Sequence, residues 1–412
     1  MGLLYNIGIR CYTAAIATAG VAHAKARLWR EGRRGLLERI EGDMAHETRA
    51  RVWIHAASLG EFEQARPIID KLREERPEVA IVVTFFSPSG YEIRKDYNKA
   101  DYVYYLAADT PQNARRFTEA VAPQVAIFVK YEFWLNHLAE LRRRHTPTYL
   151  VSAIFRRNSI FFRPWGGAWR RALATYDTLF VQNEESKHLL ESIGYHNATI
   201  AGDTRFDRVA TIAKQPTKIP IVERFIGNRR LFVAGSTWQR DEEILIELIN
   251  SNPEIGFVIA PHEMDQRRID HLISEVEGGA VRYTESCDRS DFSNVQVLIL
   301  DTIGLLSSLY SYATWAYIGG GFGAGIHNRL EAATFGLAIA FGPRYRKFQE
   351  ACDMIELRAA RSVRSAAELK AWFAPLRDDR ACLEQASSAA RAYAERNCGA
   401  TTLITEALLK HL

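Results

Sequence analysis

Two glutamates follow apolar runs in the first third of the chain, where a carboxylate could act as a base. The segment "RVWIHAASLGEFEQA" (51–65) begins as a buried strand, passes through small residues, and places Glu61 in the first turn of the helix that follows. Small residues let a substrate approach closely, and a carboxylate there can take its proton. The alternative is structural, because an acid in a helix's first turn complements the macrodipole by about 0.3–1 kcal/mol.

Glu132 is the second candidate and lies in "VKYEFWLN" (129–136). It stands between Tyr131 and the pair Phe133 and Trp134, so burial among aromatic rings would raise its pKa and suit it to proton transfer. It could equally brace a neighbouring loop. Both interpretations stay open on these residues alone.

A glycine-rich segment in the second half indicates a phosphate site. "YIGGGFGAGIHNRLEAATFGLAIAFGP" (317–343) is predicted to expose backbone N–H groups, with a helix beginning near Asn328 directing its positive end at the same place. Glu331, one turn into that helix, is placed to accept hydrogen bonds from ribose hydroxyls. A tight loop without a ligand is the alternative. The glycines assigned to the site are Gly320, Gly321, Gly323 and Gly325.

Other polar groups follow predicted strands in the same half. Ser236 and Thr237 lie in "AGSTWQRDEE" (234–243), and Pro261 and His262 lie in "APHEMDQRR" (260–268). We predict that they bind the same ligand, because strand ends of open α/β sheets share one ligand-binding edge. Each segment could instead be only a capped helix start, with Ser236 or Thr237 as the N-cap.

Residues 155–171 mix arginines with aromatic side chains, and Arg156, Arg157, Arg163 and Trp165 are the candidates for binding an acceptor or a membrane. Such interleaving can stack on unpaired bases or meet a lipid surface that bears phosphates. A solvated basic helix with a core face would have the same composition.

The elements that must position these groups alternate between strand and helix. Helix-compatible stretches separate short β-branched or aromatic runs, which predicts parallel sheets and an α/β fold with two domains. The predicted strands are 52–57, 80–86, 102–107, 125–129, 148–153, 178–182, 231–237, 256–261, 295–301, 314–320 and 337–343.

The predicted organisation has four parts. Residues 1–34 form an N-terminal segment, 35–213 and 221–384 form two α/β domains separated by the break "KQPTKIP", and 385–412 form helices that could pack back on the first domain. The net charge of +4 over 412 residues is mild, which argues against wrapping nucleic acid. Five cysteines without zinc spacing fit a reducing compartment.

The N-terminal segment is unusual. Residues 3–24 are largely apolar, and a basic flank follows them instead of preceding them, which is the wrong order for a secretory signal. We predict a membrane anchor or an interfacial helix with its basic flank on the cytoplasmic side. A buried amphipathic helix of the first domain is the alternative.

Five motifs in this order resemble one family over nearly the whole chain. They are "ASLGEFEQA", "YEFWLN", "AGDTRFDRV", "AGSTWQRDEE" and "GGGFGAGIHNRLEAATFG…GP". The set resembles the Kdo transferases of lipopolysaccharide assembly, GT-B glycosyltransferases that move 3-deoxy-D-manno-octulosonic acid (Kdo) from CMP-Kdo to a lipid A precursor.

The resemblance implies a role for each part of the chain. Two Rossmann-like domains would face a central cleft, the first binding the acceptor and the second binding CMP-Kdo. Glu61 would be the catalytic base and Glu132 a second important acid, while loop 320–328, Asn328 and Glu331 would hold CMP. The family uses no metal or other cofactor, is anchored at the inner membrane with its catalytic domains in the cytoplasm, and needs no nucleic acid.

The chain departs from the family pattern at three places. Trp238 stands where the family has histidine, "APHEMDQ" replaces an "RHPER"-like segment, and Ile326 replaces a glycine. Two rival functions remain on the sequence. One is a GT-B glycosyltransferase that uses another nucleotide sugar such as a UDP-sugar, and the other is a non-catalytic basic protein that binds membrane or RNA.

Overall fold

The chain folds into two compact α/β units in the computed structural model, which describes residues 2–323, 325–327 and 330–412. The first unit contains the residues up to Asp207 together with Cys398–Leu412, and the second unit contains Arg208–Asn397. The boundary between them therefore falls seven residues before the predicted break at 214–220.

The first unit is built on a parallel sheet of seven strands within residues 2–207, all of which are described. The strand order is β3-β2-β1-β4-β5-β6-β7, so the chain moves outward from β1 in one direction and then resumes on its other side at β4. Ligands of open α/β sheets bind where the order reverses in this way. The strands are β1 (Arg51–Ala56), β2 (Ala80–Phe85), β3 (Tyr102–Tyr105), β4 (Val125–Val129), β5 (Thr148–Ala153), β6 (Thr178–Val181) and β7 (Ala198–Ile200).

The second unit repeats this plan in its described residues. Its parallel sheet has the order β10-β11-β9-β8-β12-β13-β14, and the reversal lies between β8 and β12. The strands are β8 (Leu231–Thr237), β9 (Gly256–Pro261), β10 (Ala280–Arg282), β11 (Val297–Ile299), β12 (Trp315–Ile318), β13 (Ala338–Phe341) and β14 (Ala360–Ser362).

Helices cover both sheets. The first ten are α1 (Leu3–Ala19), α2 (Ala24–Glu31), α3 (Leu36–Met44), α4 (Leu59–Glu75), α5 (Pro88–Arg94), α6 (Pro111–Val121), α7 (Leu135–Arg143), α8 (Gly167–Leu173), α9 (Glu184–Glu191) and α10 (Thr204–Lys214). The others are α11 (Pro220–Ile226), α12 (Gln239–Asn250), α13 (Gln266–Glu275), α14 (Leu306–Leu309), α15 (Leu330–Thr334), α16 (Gln349–Glu356), α17 (Ala366–Asp378), α18 (Arg380–Arg396) and α19 (Ala400–Leu409).

Burial explains why the central strands read as continuous apolar runs. Residues 52–56 of β1 are all buried, because helices cover both faces of the sheet. The Trp53 ring packs against Phe117 and Phe128, with centroid distances of 4.7 and 5.1 Å. The last helix, α19, packs on α4 of the first unit.

The prediction of two Rossmann-like α/β domains is confirmed, and the strands that it missed are short. β7, β10 and β14 have three residues each, too few to form a recognisable apolar run. Within the described part of the chain, no helix is both long enough and apolar enough to cross a membrane.

Candidate active site

Glu61 lies beside the point where the strand order of the first sheet reverses. Ser58 is the N-cap of α4, and Glu61 is the third residue of that helix. The Glu61 Oε2 atom accepts hydrogen bonds from the Ser58 backbone N–H at 2.9 Å and from the Ser58 hydroxyl at 3.0 Å. The carboxylate therefore contributes to the helix cap, and the same bonds fix its position at the end of β1.

The surroundings of Glu61 favour its protonated form. Burial and the nearby charge of Glu132 raise the pKa of Glu61 above its ordinary value, against opposing contributions from the Ser58 hydrogen bond and from Lys130 and His55. A carboxyl group with a raised pKa holds a proton more readily, which is the property that a general base needs.

Glu132 follows β4, the strand next to β1, and is 8% exposed. Its Oε2 atom lies 2.9 Å from His55 Nε2 and accepts a 2.6 Å hydrogen bond from the Trp134 indole N–H. Its backbone carbonyl accepts a hydrogen bond from the Tyr176 hydroxyl at 2.8 Å. These contacts hold the carboxylate in one place at the sheet edge.

His55 is a site residue that the sequence analysis missed. It is fully buried in β1, and its Nδ1 atom lies 2.9 Å from the Thr84 hydroxyl oxygen, which also accepts a bond from the Trp53 indole N–H. A buried imidazole between a carboxylate and a hydroxyl orients both neighbours. The available signal was one polar residue inside an otherwise apolar strand.

A second polar cluster belongs to the motif at 201–209. Asp203 is 3% exposed and accepts hydrogen bonds from Gln64, Gln182 and Arg205. Burial alone would raise the pKa of Asp203, but the charge and hydrogen bonds of Arg205 outweigh it and lower that pKa below its ordinary value. The cluster ties α4, which carries Glu61, to the segment that begins α10.

The four residues predicted to bind acceptor or membrane, Arg156, Arg157, Arg163 and Trp165, are all exposed. The Trp165 side chain is 73% exposed. The apolar part of the same segment is core, because Phe155 and Phe161 are buried against Phe133. The segment thus buries phenylalanines and leaves arginines and one tryptophan at the surface.

In the second unit, residues at the end of β8 form hydrogen bonds with side chains of the helix that follows, α12. Ser236 has a left-handed backbone with φ of 55°, and the hydroxyl of buried Thr237 donates to Glu242 at 2.7 Å. The N-cap of α12 is Trp238, so the alternative in which Ser236 or Thr237 is the N-cap is wrong. The cap is completed by Asp241, which accepts from the Trp238 N–H at 2.9 Å.

The glycine-rich loop follows β12, and most of its N–H groups that can be described are already bonded. Gly320 N–H donates to Asp241 at 2.9 Å, and the N–H groups of Gly323 and Gly325 donate to the Gly320 carbonyl at 3.0 and 3.1 Å. The expectation of free N–H donors is therefore wrong for these three glycines. Gly321 approaches another backbone segment closely, as its added Cβ would lie 2.5 Å from Gly342 Cα.

The other residues predicted to bind the CMP-sugar lie around that loop. Pro261 is buried at the end of β9, and exposed His262 follows it. Glu331 is in the first turn of α15 and interacts electrostatically with Arg208. Asn328 lies outside the described residues.

Three rings stack at this edge of the second sheet. His262 lies between Trp238 and His327, with centroid distances of 4.7 and 4.2 Å. The Trp238 indole N–H donates to His327 Nε2 at 3.0 Å, so that nitrogen carries a lone pair. Burial and the neighbouring His262 lower the pKa of His327. Trp238, which departs from the family pattern, is thus a hydrogen-bond donor to the segment that follows β12.

No group of three or more histidine, cysteine, aspartate or glutamate side chains that could hold a metal ion is found in residues 2–323, 325–327 and 330–412.

The family model and the relatives that match this chain carry the same name. Residues 29–208 match the family model described as 3-deoxy-D-manno-octulosonic-acid transferase (kdotransferase). The chain is 28% identical to the 3-deoxy-D-manno-octulosonic acid transferase of Bordetella pertussis over 87% of each chain. It is 25% identical to the protein of that name from Aquifex aeolicus, over 75% of this chain and 80% of that protein.

Solved structures show the same fold at lower identity. UDP-GlcNAc 2-epimerase from Neisseria meningitidis superimposes with a TM-score of 0.64 and 16% identity, covering 87% of this chain and all of that one (100%). MurG from Acinetobacter baumannii gives a TM-score of 0.56 and 14% identity, covering 88% and 99% of the two chains.

The two parallel sheets and these neighbours define a protein of GT-B-like fold. By its sequence the chain is a glycosyltransferase related to the Kdo transferases, so the resemblance drawn from the five motifs is confirmed.

Proposed function

We propose that this enzyme transfers Kdo from CMP-Kdo to a glucosamine hydroxyl of a lipid A precursor of the lipid IVA type, with inversion at the anomeric carbon. The observation that carries the proposal is the position of Glu61, a fixed carboxylate of raised pKa at the strand-order reversal of the first sheet. The similarity to Kdo transferases supports the choice of sugar.

The chemistry is a single displacement. The acceptor oxygen attacks the anomeric carbon and forms the new glycosidic bond while the bond from that carbon to the CMP phosphate oxygen breaks. Glu61 takes the proton of the attacking hydroxyl, and CMP leaves with the electron pair of the broken bond. Glu132, fixed by His55 and Trp134, keeps a second negative charge near the base.

The second unit would hold the nucleotide. Glu331 is proposed to accept hydrogen bonds from the ribose, and Asn328 with the loop at 320–328 is proposed to hold the phosphate. Three cationic residues, Arg344, Arg346 and Lys347, follow β13, and the Arg344 guanidinium donates to the Gly323 carbonyl of the loop at 2.7 Å. Because the N–H groups of three loop glycines are bonded internally, the positive charge of these residues would supply most of the phosphate stabilisation. We propose that no metal is needed, and full activity in excess EDTA is the expected result.

We further propose that the first unit binds the cytoplasmic face of the inner membrane. Leu3 and Leu4 of α1 are 75% and 84% exposed, and exposed Trp165 lies among exposed arginines. Apolar side chains beside cationic ones suit the interface of an anionic bilayer. Flotation with vesicles that contain anionic lipid measures this binding, and strong salt-sensitive RNA binding would instead favour the non-catalytic alternative.

The proposed function is tested by incubating the protein with CMP-Kdo and a lipid A precursor and weighing the products. A mass increase of one or more Kdo units is expected. Thermal shift with CMP and with UDP then separates the donors, because CMP alone should stabilise the protein. Glu331→Ala should weaken CMP binding by about tenfold through loss of a charge-assisted hydrogen bond. Stabilisation by UDP and not by CMP would support the UDP-sugar alternative.

Glu132→Gln is expected to shift the acid limb of the pH profile of kcat/KM to lower pH. The charge of Glu132 raises the pKa of Glu61, so a neutral glutamine lowers that pKa, and Glu61 stays ionised and competent as a base at more acidic pH. Glu140→Gln, which removes a surface charge paired with Arg143, is the control. If the acid limb does not move, the charge of Glu132 does not control the ionisation of the base.

A further inference from the structure

Helix α1 contacts the rest of the first unit through hydrogen bonds. None of its residues is buried, yet the Tyr5 hydroxyl donates to Asp109 Oδ2 at 2.5 Å, and Asn6 Oδ1 accepts from the Asn136 side chain at 2.9 Å. Asp109 itself is 1% exposed. A surface anchor would not need a hydrogen bond to a buried carboxylate, so this contact requires another explanation.

Asp109 caps the first turn of α7. Its Oδ1 atom accepts from the His137 backbone N–H at 2.9 Å and lies 2.6 Å from His137 Nδ1, and its Oδ2 atom accepts from the Asn136 N–H at 3.1 Å. The N-cap residue of α7, Trp134, has no side-chain cap of its own. The orphan N–H groups of Asn136 and His137 therefore depend on a carboxylate from another segment, which Tyr5 holds in place, and the Leu135 N–H donates to the Tyr5 hydroxyl itself at 3.4 Å.

The capped turn leads directly to a carboxylate of the candidate active site. Trp134 stands immediately before α7, and its indole N–H donates to Glu132 Oε2 at 2.6 Å. Phe86 packs on the Trp134 ring at 4.7 Å and on the Tyr12 ring of α1 at 6.2 Å. A polar path and an apolar path thus run from α1 to the same tryptophan.

We propose that Tyr5 is a positioning residue for the transfer reaction, acting on Glu132 through Asp109, the first turn of α7 and Trp134. Docking of α1 thereby completes the acceptor side of the active site. The inference rests on the proposed function and assigns to the N-terminal helix a task besides membrane binding. Burial alone would raise the pKa of Asp109, but the bonds from His137 and Tyr5 lower it, which keeps Asp109 an ionised acceptor.

The test is Tyr5→Phe in the full-length protein, with Tyr104→Phe as the matched control. Tyr104 also donates its hydroxyl to a carboxylate, Asp43, at 2.7 Å, but that bond joins β3 to α3. For Tyr5→Phe we expect kcat to fall about tenfold while the KM for CMP-Kdo and binding to anionic vesicles stay unchanged, because only geometry at Glu132 is altered. Tyr104→Phe should change none of these quantities.

Hydrogen exchange gives a readout that does not depend on Kdo transfer. In Tyr5→Phe the amides of Leu135–His137 should exchange faster than in the wild type, whereas Tyr104→Phe should leave them protected. Unchanged exchange and unchanged kcat would overturn the positioning role. Faster exchange in a protein that transfers no Kdo would overturn the proposed function and keep the coupling of α1 to α7. Loss of kcat together with loss of vesicle binding would reduce Tyr5 to a part of the anchor.

Discussion

Glu61→Gln is expected to lower kcat for Kdo transfer by about 10²–10⁴-fold, the usual contribution of a general base. Glutamine has nearly the same shape, and its amide oxygen can still accept the hydrogen bonds from Ser58 that fix the side chain at the start of α4. It cannot take a proton from the acceptor hydroxyl. The loss should therefore appear in kcat and not in folding.

CMP binding separates this effect from general damage. CMP is proposed to bind the second unit, so its affinity for Glu61→Gln, measured by calorimetry, should equal that of the wild type. Glu63→Gln is a control on the same helix, because Glu63 pairs with Arg66 and Arg94 away from the proposed base. Wild-type turnover by Glu61→Gln would remove Glu61 as the base and leave it as a helix cap.

Gly321→Ala is expected to abolish CMP binding and to destabilise the second unit by about 1–3 kcal/mol, the typical cost of overpacking. A Cβ at position 321 would lie 2.5 Å from Gly342 Cα and 2.6 Å from Gly342 N. A Cβ at position 342 would in turn lie 2.7 Å from the Gly321 carbonyl carbon. Both obstacles are backbone atoms, so the strain cannot be relieved by a side-chain rotation.

Gly323 in the same loop provides a control, because an added Cβ has room there. Among the described residues, a Cβ at Gly323 would meet the Gly320 oxygen alone, at an ordinary 3.7 Å, so Gly323→Ala should keep the wild-type melting temperature. Because positions 321 and 342 share one contact, the double alanine variant should cost less than the sum of the two single changes. Thermal unfolding and CMP titration measure both quantities. Wild-type CMP affinity for Gly321→Ala would show that the loop's close approach does not shape the nucleotide site.

The sequence predicts the sheets well because parallel strands covered on both faces must be apolar throughout, as in β1 and β4. It also predicts where Glu61 and Glu132 lie, since residues that follow parallel strands meet at one sheet edge. It cannot predict which hydrogen bonds form there. Asp241 looks like an ordinary first-turn acid of α12, yet it binds Gly320 N–H, 79 residues along the chain.

Most features that the sequence does not predict are hydrogen bonds between residues far apart in the chain. Asp109 has the local pattern of a turn before α6, and nothing near it indicates a bond to Tyr5, 104 residues away. His55 reads as an exception inside a strand until the fold brings Glu132 next to it. The three-residue edge strands are fixed by pairing with a neighbour and not by their own composition.

The hydrogen bonds between Glu61 and Ser58 also bear on how the enzyme would recover after each reaction. Once Glu61 has accepted a proton, it no longer offers a negative charge to the N-terminal end of α4, and the helix loses an electrostatic interaction that it had before turnover. Release of that proton to water restores the interaction. The cap of α4 therefore favours regeneration of the ionised base, in opposition to burial and the charge of Glu132, which favour retention of the proton.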